Sequence, residues 1–375
     1  GKDKSIRTTL NYLNDLNDLI EFIGGIEFEY TNSIPPYAND QVLGVSLKYE
    51  GSNADLIDEK LTLNEQRYAS FIQFTVNRTE NLHFIAGIRY DYSTRYGSTV
   101  NPRIGWIGKI GNKTSLKIIN GHAFQAPSLF LQYEQWGSAG ATMLSVDEIQ
   151  ATEPDWELQN QTIRTHEIVL NHKFNTNLNL NISSYYHSLN ALIERVKYTD
   201  FAYNKYYSTD SDSIYTIGFR NENVGSQDVY GVDVILQARI DKQLSTYFQY
   251  SFINAIAETE DGNIDIPRIA PHKLWMGFVY RELFGWLTLS PEIKWVGEMN
   301  NKNSIVYPDG KQPGYTTIDL ALSADNLIND MSIYVRMENC LNAQIEHGGL
   351  YNQQSYLPTI HQPGFLFRAG VDIQF

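Results

Sequence analysis

The sequence predicts an all-β fold, a transmembrane antiparallel β-barrel of about fifteen strands, and three observations carry that prediction. In residues 364–375, Phe365, Phe367, Ala369, Val371, Ile373 and Phe375 alternate with Gly364, Leu366, Arg368, Gly370, Asp372 and Gln374. One face is apolar up to its aromatic carboxyl terminus and the other carries an Arg and an Asp, which suits a strand with lipid on one side and a polar lumen on the other. Along the chain, segments of this kind are joined alternately by short polar turns and by long loops, the asymmetry expected of periplasmic turns and extracellular loops. The composition agrees: 13% of residues are aromatic, with 25 Tyr, and only 19% are charged, as expected where aromatic side chains form interfacial girdles.

Alternation and turn chemistry place the elements in order. Residues 5–12 form a first strand that turns through 13–18 into 19–30, and a long loop runs to about Gln66. Residues 66–76 and 82–92 make a hairpin across 77–81, where Leu82, Phe84, Ala86, Ile88 and Tyr90 alternate with His83, Gly87, Arg89 and Asp91. Residues 102–109 and 114–123 turn at 110–113, and a loop of nearly forty residues follows. The next strands are 164–174 and 178–196, turning at 175–177, and then a tyrosine-bearing loop leads to 229–240 and 244–257 across 241–243. Residues 272–280 pair with 287–296 across 283–286, residues 315–323 with 331–339 across 325–330, and a final loop leads into 364–375.

Single-chain bacterial barrels close with an even number of strands and both termini in the periplasm. Fifteen strands counted back from a periplasmic Phe375 make the first strand run inwards. The odd count therefore implies strands before Gly1, unless one strand is misread and the barrel is complete with 14 or 16.

Bulk properties exclude several classes. The formal charge of −14 argues against nucleic acid, which requires a basic surface. Mean hydropathy is −0.35, and without a run of about 18 apolar residues any membrane crossing is by strands. Cys340 is the only cysteine, so a disulfide framework and a multi-cysteine metal site are ruled out. Residues 1–5 lack the apolar core of a signal peptide. No nucleophile elbow is recognisable at Gly137-Ser138 or Gly225-Ser226, and Ser184 and His187 fall on opposite strand faces, so no enzyme is expected.

Asn101-Pro102-Arg103-Ile104-Gly105, followed by His122-Ala-Phe124-Gln-Ala126-Pro127-Ser-Leu-Phe130, resembles the TonB-dependent outer-membrane transporters, with Gln125 where that family usually has Arg. Further segments follow in the family's order: Gly87-Ile-Arg-Tyr-Asp91, Thr162 to Glu167, Tyr230-Gly-Val-Asp233, Ile266 to Lys273, Glu338-Asn339-Cys-Leu-Asn342 and the terminal Phe375. The resemblance implies a 22-stranded barrel filled by an amino-terminal plug, of which this chain supplies strands 8 to 22, with the plug and about seven strands absent. It also implies import energised by TonB–ExbB–ExbD through the plug, in the outer membrane of a Gram-negative bacterium. A ferric siderophore is the leading substrate on family grounds, ahead of cobalamin, haem, oligosaccharide or peptide. A passive porin is the alternative from another class, and a surface module bound by a lipoprotein lid is a third.

Substrate contacts are expected from aromatic residues on the long loops. The candidates are Tyr133 and Trp136; Tyr203, Tyr206 and Tyr207, near Tyr198 and Phe201; and Tyr351 and Tyr356, with His347 and His361. No cofactor is expected, although the acidic loops 210–212 and 258–265 could supply oxygen ligands to calcium. No His lies between Ala123 and Arg164, which disfavours haem.

Overall fold

The computed structural model describes residues 2–34, 63–79, 81–128, 131, 134–137, 140–143, 158–198, 218–259, 262–301, 307, 309–328, 331–348 and 359–373. Among them every element is a strand. The amino-terminal half holds β1 (Lys2–Asn17), β2 (Ile20–Ile34), β3 (Leu63–Thr79), β4 (Leu82–Ser93), β5 (Gly97–Ile110), β6 (Thr114–Gln125), β7 (Glu134–Gly137), β8 (Gly140–Met143), β9 (Gln161–Lys173) and β10 (Leu178–Asn190). Then come β11 (Ile193–Tyr198), β12 (Gly218–Asn223), β13 (Ser226–Arg239), β14 (Leu244–Thr259), β15 (Gly262–Asp265), β16 (His272–Leu283), β17 (Leu287–Val296), β18 (Met299–Asn300), β19 (Lys311–Gln312), β20 (Tyr315–Ile328), β21 (Met331–Glu338), β22 (Glu346–Gly348), β23 (Thr359–His361) and β24 (Leu366–Ile373).

Fifteen of these strands lie on one hydrogen-bonded path, β1-β2-β3-β4-β5-β6-β9-β10-β13-β14-β16-β17-β20-β21-β24, and β15 pairs with β14. This is the expected meander, with the expected count. By contacts the chain divides into two compact units, residues 1–105, 120–164 and 188–226 in the first and 106–119, 165–187 and 227–375 in the second.

In the first unit, away from the irregularities at 15–17 and 77–79, the registers put odd-numbered residues of β1 to β4 on one face, since Thr9↔Glu27, Glu27↔Ala69 and Ala69↔Asp91 are partners. That face is polar, with Arg7, Glu27, Arg67, Arg89 and Asp91. The opposite face carries exposed Leu10, Ile26, Phe28, Tyr68, Ile72, Phe74, Ile88 and Tyr90. Tilted ring pairs tie its aromatics across neighbouring strands, Phe28 with Tyr68 at 5.2 Å and Phe22 with Phe74 at 5.2 Å.

In the second unit Tyr247↔Gly277, Gly277↔Glu292 and Glu292↔Asp319 form one row. Gly277 leaves room for the Tyr247 ring to cross it, and the Tyr247 hydroxyl donates to Glu292. Lys294 sits between Glu292 (2.7 Å) and Asp319 (2.8 Å). On β24, Leu366, Arg368, Gly370 and Asp372 share the polar face through Glu338, Arg336, Tyr334 and Ser332 of β21. The alternation expected of the last strand holds over its described residues; Phe375 lies outside them.

The short turns are closed by side chains. Asn175 Oδ1 accepts from the amides of Asn177 and Leu178 at 2.8 and 2.9 Å, and Asp241 Oδ1 from those of Gln243 and Leu244 at 2.7 Å each. These are Asx turns, in which a carboxamide or carboxylate replaces the missing backbone acceptor. Strands run further into the turns than alternation alone suggests: β1 reaches Asn17, β3 reaches Thr79 and β20 reaches Ile328.

The largest correction concerns residues 178–196, expected as one strand. The strand stops at Asn190, Ala191 takes a positive φ of 55°, and β11 joins a separate four-stranded sheet in the order β11-β12-β7-β8. The cause is Asn223, whose Nδ2 donates to Ala191 O at 2.6 Å and Gln159 O at 3.0 Å while Oδ1 accepts from Gln159 N at 2.6 Å. This sheet pairs two stretches expected to be loops, with Trp136 opposite Phe219.

Two tests follow from these contacts. A Cβ at Gly231 would overlap Phe252 O and the Tyr185 ring, so Gly231→Val lowers the urea midpoint of unfolding, by about 1–3 kcal/mol of stability. Asn223→Ala removes the three bonds that hold the loop sheet and costs roughly 2 kcal/mol locally. Amide exchange in Glu134–Gly137 should then accelerate by about thirtyfold while β3 and β4 stay protected.

Candidate functional site

The first unit concentrates its charges at one end of its polar face, around a cavity of about 310 Å³ lined by Arg7, Glu27, Arg67, Arg89, Asp91, Phe124 and Asn160 among others. Alternation explains the cluster, because each charge occupies an odd position on an adjacent strand. Glu65 is the anchor. It is 1% exposed, accepts from Arg67 Nε and Nη2 at 2.8 Å each, and accepts from Ser93 Oγ at 2.7 Å. Ser93 Oγ in turn accepts from the amides of Arg95 and Tyr96, fixing the turn between β4 and β5.

Alongside it, Arg7 reaches Glu27 at 2.7 Å, and Arg89 reaches Asp91 at 2.8 Å and Glu27 at 3.7 Å. The Arg89 guanidinium also lies 5.9 Å from the Phe71 ring centre. Asn101 donates to Asp91 at 3.1 Å, and His122 bonds the Asn101 side chain at 3.0 Å. Arg103 donates to Gln73.

The exposures separate the two signs of charge. Side chains of Glu65, Glu27 and Asp91 are 1, 12 and 14% exposed, against 40, 60 and 35% for Arg67, Arg7 and Arg89. Glu65, Glu27 and Asp91 are committed to these arginines, and the cavity presents guanidinium N–H together with the further carboxylate of Glu29. Such a surface takes oxygen-rich anionic groups, for which a planar guanidinium offers paired donors. At the rim, Asn160 is 9% exposed and donates to Tyr96 O at 3.1 Å, while its Oδ1 is buried and accepts from no group among the described residues.

Of the aromatic residues expected to touch substrate, Tyr133, Tyr203, Tyr206, Tyr207, Tyr351 and Tyr356 lie outside the described residues, and Trp136 is described only as backbone in β7. The loop sheet nevertheless joins the Trp136 strand to β11 and β12, which flank the segment carrying Tyr203, Tyr206 and Tyr207. The arginine cluster was missed by reading loops for aromatics. Its signal was present in the strands, as opposite charges at odd positions of four consecutive elements.

The family-like residues fall in the walls. Asn101, Pro102 and Arg103 are in β5 and Phe124 is the penultimate residue of β6; Ala126 and buried Pro127 follow that strand. Asn339 has a positive φ of 50° and closes a loop by exchanging bonds with Ala343 at 2.9 Å each way.

In the second unit two loop segments interlock. Tyr307 donates to Glu346 at 2.6 Å, His361 lies 3.4 Å from the same carboxylate, and Gln312 donates to Glu346 O. Burial, with Glu346 adding to it, pushes the Tyr307 hydroxyl up to about 12, so it remains a donor at ordinary pH. Among the described residues no three His, Cys, Asp or Glu side chains group to hold a metal. Residues 210–212 lie outside the described residues, and 258–265 form the β14–β15 hairpin except for 260–261.

Comparison with known proteins places this geometry. No curated protein matches the sequence significantly. Among solved structures, a variant of the ferric enterobactin receptor of Pseudomonas aeruginosa bound to enterobactin superposes with a TM-score of 0.67 at 15% identity, over 98% of this chain and 54% of that one. The FrpB iron transporter of Neisseria meningitidis gives 0.64 at 13% identity, over 100% and 55%. The siderophore receptor PirA of Acinetobacter baumannii gives 0.61 at 12%, over 98% and 54%. The chain thus spans about half the length of these structures, and the likeness is one of fold. The family described as TonB dependent receptor-like, beta-barrel matches residues 3–340, and the chain belongs to that family.

Proposed function

We propose that the protein carrying this barrel segment imports a ferric siderophore across the outer membrane of a Gram-negative bacterium. The apolar strand faces lie in lipid, the polar face lines the lumen, and TonB–ExbB–ExbD supplies energy through an amino-terminal plug. Family membership supports the mechanism. The observation that supports the substrate class is the set of three guanidiniums, 60, 40 and 35% exposed, each more open than the Glu27, Glu65 or Asp91 carboxylate it pairs with.

A ferric chelate surrounds its metal with deprotonated oxygens, and many such chelates are anionic as a whole. Exposed arginines in a confined site attract that charge from a distance and hold it through charge-assisted hydrogen bonds. A neutral oligosaccharide gains little from fixed charge, so the cluster favours the chelate. The aromatic residues Tyr133, Trp136, Tyr203, Tyr206, Tyr207, Tyr351 and Tyr356 are proposed as additional ligand contacts from the loops above. A lipoprotein lid over those loops and calcium in the acidic loops are compatible additions that this reading does not need.

Arg7 is the most exposed member and the cleanest to remove, because Arg89 still accompanies Glu27. In the full-length protein, Arg7→Ala should weaken binding of anionic ferric chelates about tenfold, the loss of one charge-assisted bond. Radioactive iron uptake under iron restriction reads the effect, and unchanged uptake of every anionic chelate tested would remove the substrate assignment. In planar bilayers the full-length protein should stay closed. A large, steadily open conductance would instead establish a passive porin.

A further inference from the structure

The second unit has a cavity of its own where its strands meet their short turns. It measures about 1000 Å³, and its lining includes Lys113, Lys173 and Arg239 together with Asn177, Asn179 and Gln237. Three turns form its rim: 111–113 between β5 and β6, 174–177 between β9 and β10, and 240–243 between β13 and β14. These turns are neighbours because β6 pairs with β9 and β10 with β13. Backbone bonds of 2.7 Å tie them side by side, from Lys173 N to Lys113 O and from Arg239 N to Asn177 O, and Lys113 Nζ donates to Phe174 O at 2.9 Å.

Register fixes the side on which the lining stands. Tyr247 belongs to the row of Glu292 and Asp319, so Ser245 and Ser251 share its polar face by alternation. Ser251 donates to Asp233, which brings Gln237 and Arg239 of β13 onto that face. Tyr185 of β10 packs at Gly231, and Asn181 bonds Asn171 of β9 at 2.6 Å, so Asn179 and Lys173 join them. Arg281 Nη1 lies 3.5 Å from Ser245 Oγ, adding a further guanidinium beside the cavity.

Charge balance sets this cavity apart. Arg7, Arg67, Arg89 and Lys294 each pair with an acid. Among the described residues Lys113, Lys173 and Arg239 make no ion pair, and the cavity lining contains no Asp or Glu. Asp241, two residues from Arg239, uses Oδ1 to cap its own turn, and Glu292 accepts from Tyr247 and pairs with Lys294. Like charges with no carboxylate between them repel, and an anion placed among them removes that repulsion. The carboxamides of Asn179 and Gln237 add neutral N–H donors. The donor set therefore fits an oxygen-rich anion. Small-molecule sites usually enclose roughly 300–1,000 Å³, so the volume suits a chelated metal better than a single phosphate.

We propose that this cavity is a second binding site for the anionic ferric chelate, at the short-turn end of the lumen, holding the cargo before its release to the periplasm. The proposal rests on the transport reading above, and its test separates the two. Purified full-length protein is titrated with an anionic ferric tris-catecholate by isothermal calorimetry, and uptake of the same chelate is followed with radioactive iron.

The wild-type protein should bind two chelates per chain. Lys173→Gln/Arg239→Gln should bind one, and its maximal uptake rate should fall about fivefold while the half-saturating concentration stays unchanged. Lys173→Arg/Arg239→Lys should keep both sites, as a requirement for charge predicts and a folding defect does not. Arg7→Ala should weaken the other site and leave this one intact. A single site in the wild type, or two sites in the Gln variant, overturns the proposal whatever Arg7→Ala does. A steadily open conductance of the Gln variant in planar bilayers also overturns it, by assigning these cations to retention of the plug. No binding by the wild type overturns the transport reading and the second site together.

Discussion

Backbone amides and carbonyls flanked by hydrocarbon have to be satisfied by the protein itself, and the rest of this structure depends on that requirement. An antiparallel ladder meets it strand by strand, which is why fifteen strands follow one another along a single path. The ladder also fixes side-chain alternation, so each strand must read apolar on one face and can be polar only on the other. The chemistry of the polar face is therefore confined to every second residue. Charges meet along a strand at i, i+2, as Glu65 with Arg67, Arg89 with Asp91 and Glu292 with Lys294, or diagonally between strands, as Arg7 with Glu27.

Within that restriction the two units use different cations. In the first, Arg7, Arg67 and Arg89 are more exposed than the Glu27, Glu65 and Asp91 carboxylates they pair with, and Glu29 lines the same cavity. In the second, Lys294 bridges Glu292 and Asp319 and at 35% exposure is again more open than either acid. The cations differ in their spare donors: a guanidinium is more weakly hydrated than an ammonium and keeps some free after one bidentate contact. Arg67 spends two donors on Glu65 and remains 40% exposed. Lys294 has three donors in all and makes ion pairs with two acids, so less of it is left for a ligand.

The period of two and the Asn- or Asp-closed turns made the strand order legible from sequence, because both are local. The break at Ala191 was not, since it depends on Asn223, far along the chain and reached only when the loops fold together. The four-stranded loop sheet was invisible for a related reason. Its strands are four to six residues long and pair through backbone bonds, which impose no hydrophobic period. Glu65 looked like a loop residue and became a buried carboxylate beside the cavity, held by Arg67 on its own strand and Ser93 on the next.

The family-like segments show why resemblance reveals a fold more readily than a substrate. Pro102 sits inside β5, between β4 and β6, where its missing N–H removes a ladder donor. Asn101 and Arg103 on either side bond Asp91 and Gln73 on the polar face. Asn339 and Asn342 both adopt positive φ near 50°, a conformation Asn tolerates better than most residues, and together they turn the chain after β21. Asn339 N also donates to Asp319 at 2.8 Å, tying that turn to the ion cluster of the second unit. These positions mark where the ladder is interrupted and repaired. Such repairs are demanded by the barrel whatever it carries, so the segments that identify the family say little about cargo. Under the proposed function, cargo chemistry falls to the exposed guanidiniums, which alternation permits but does not require.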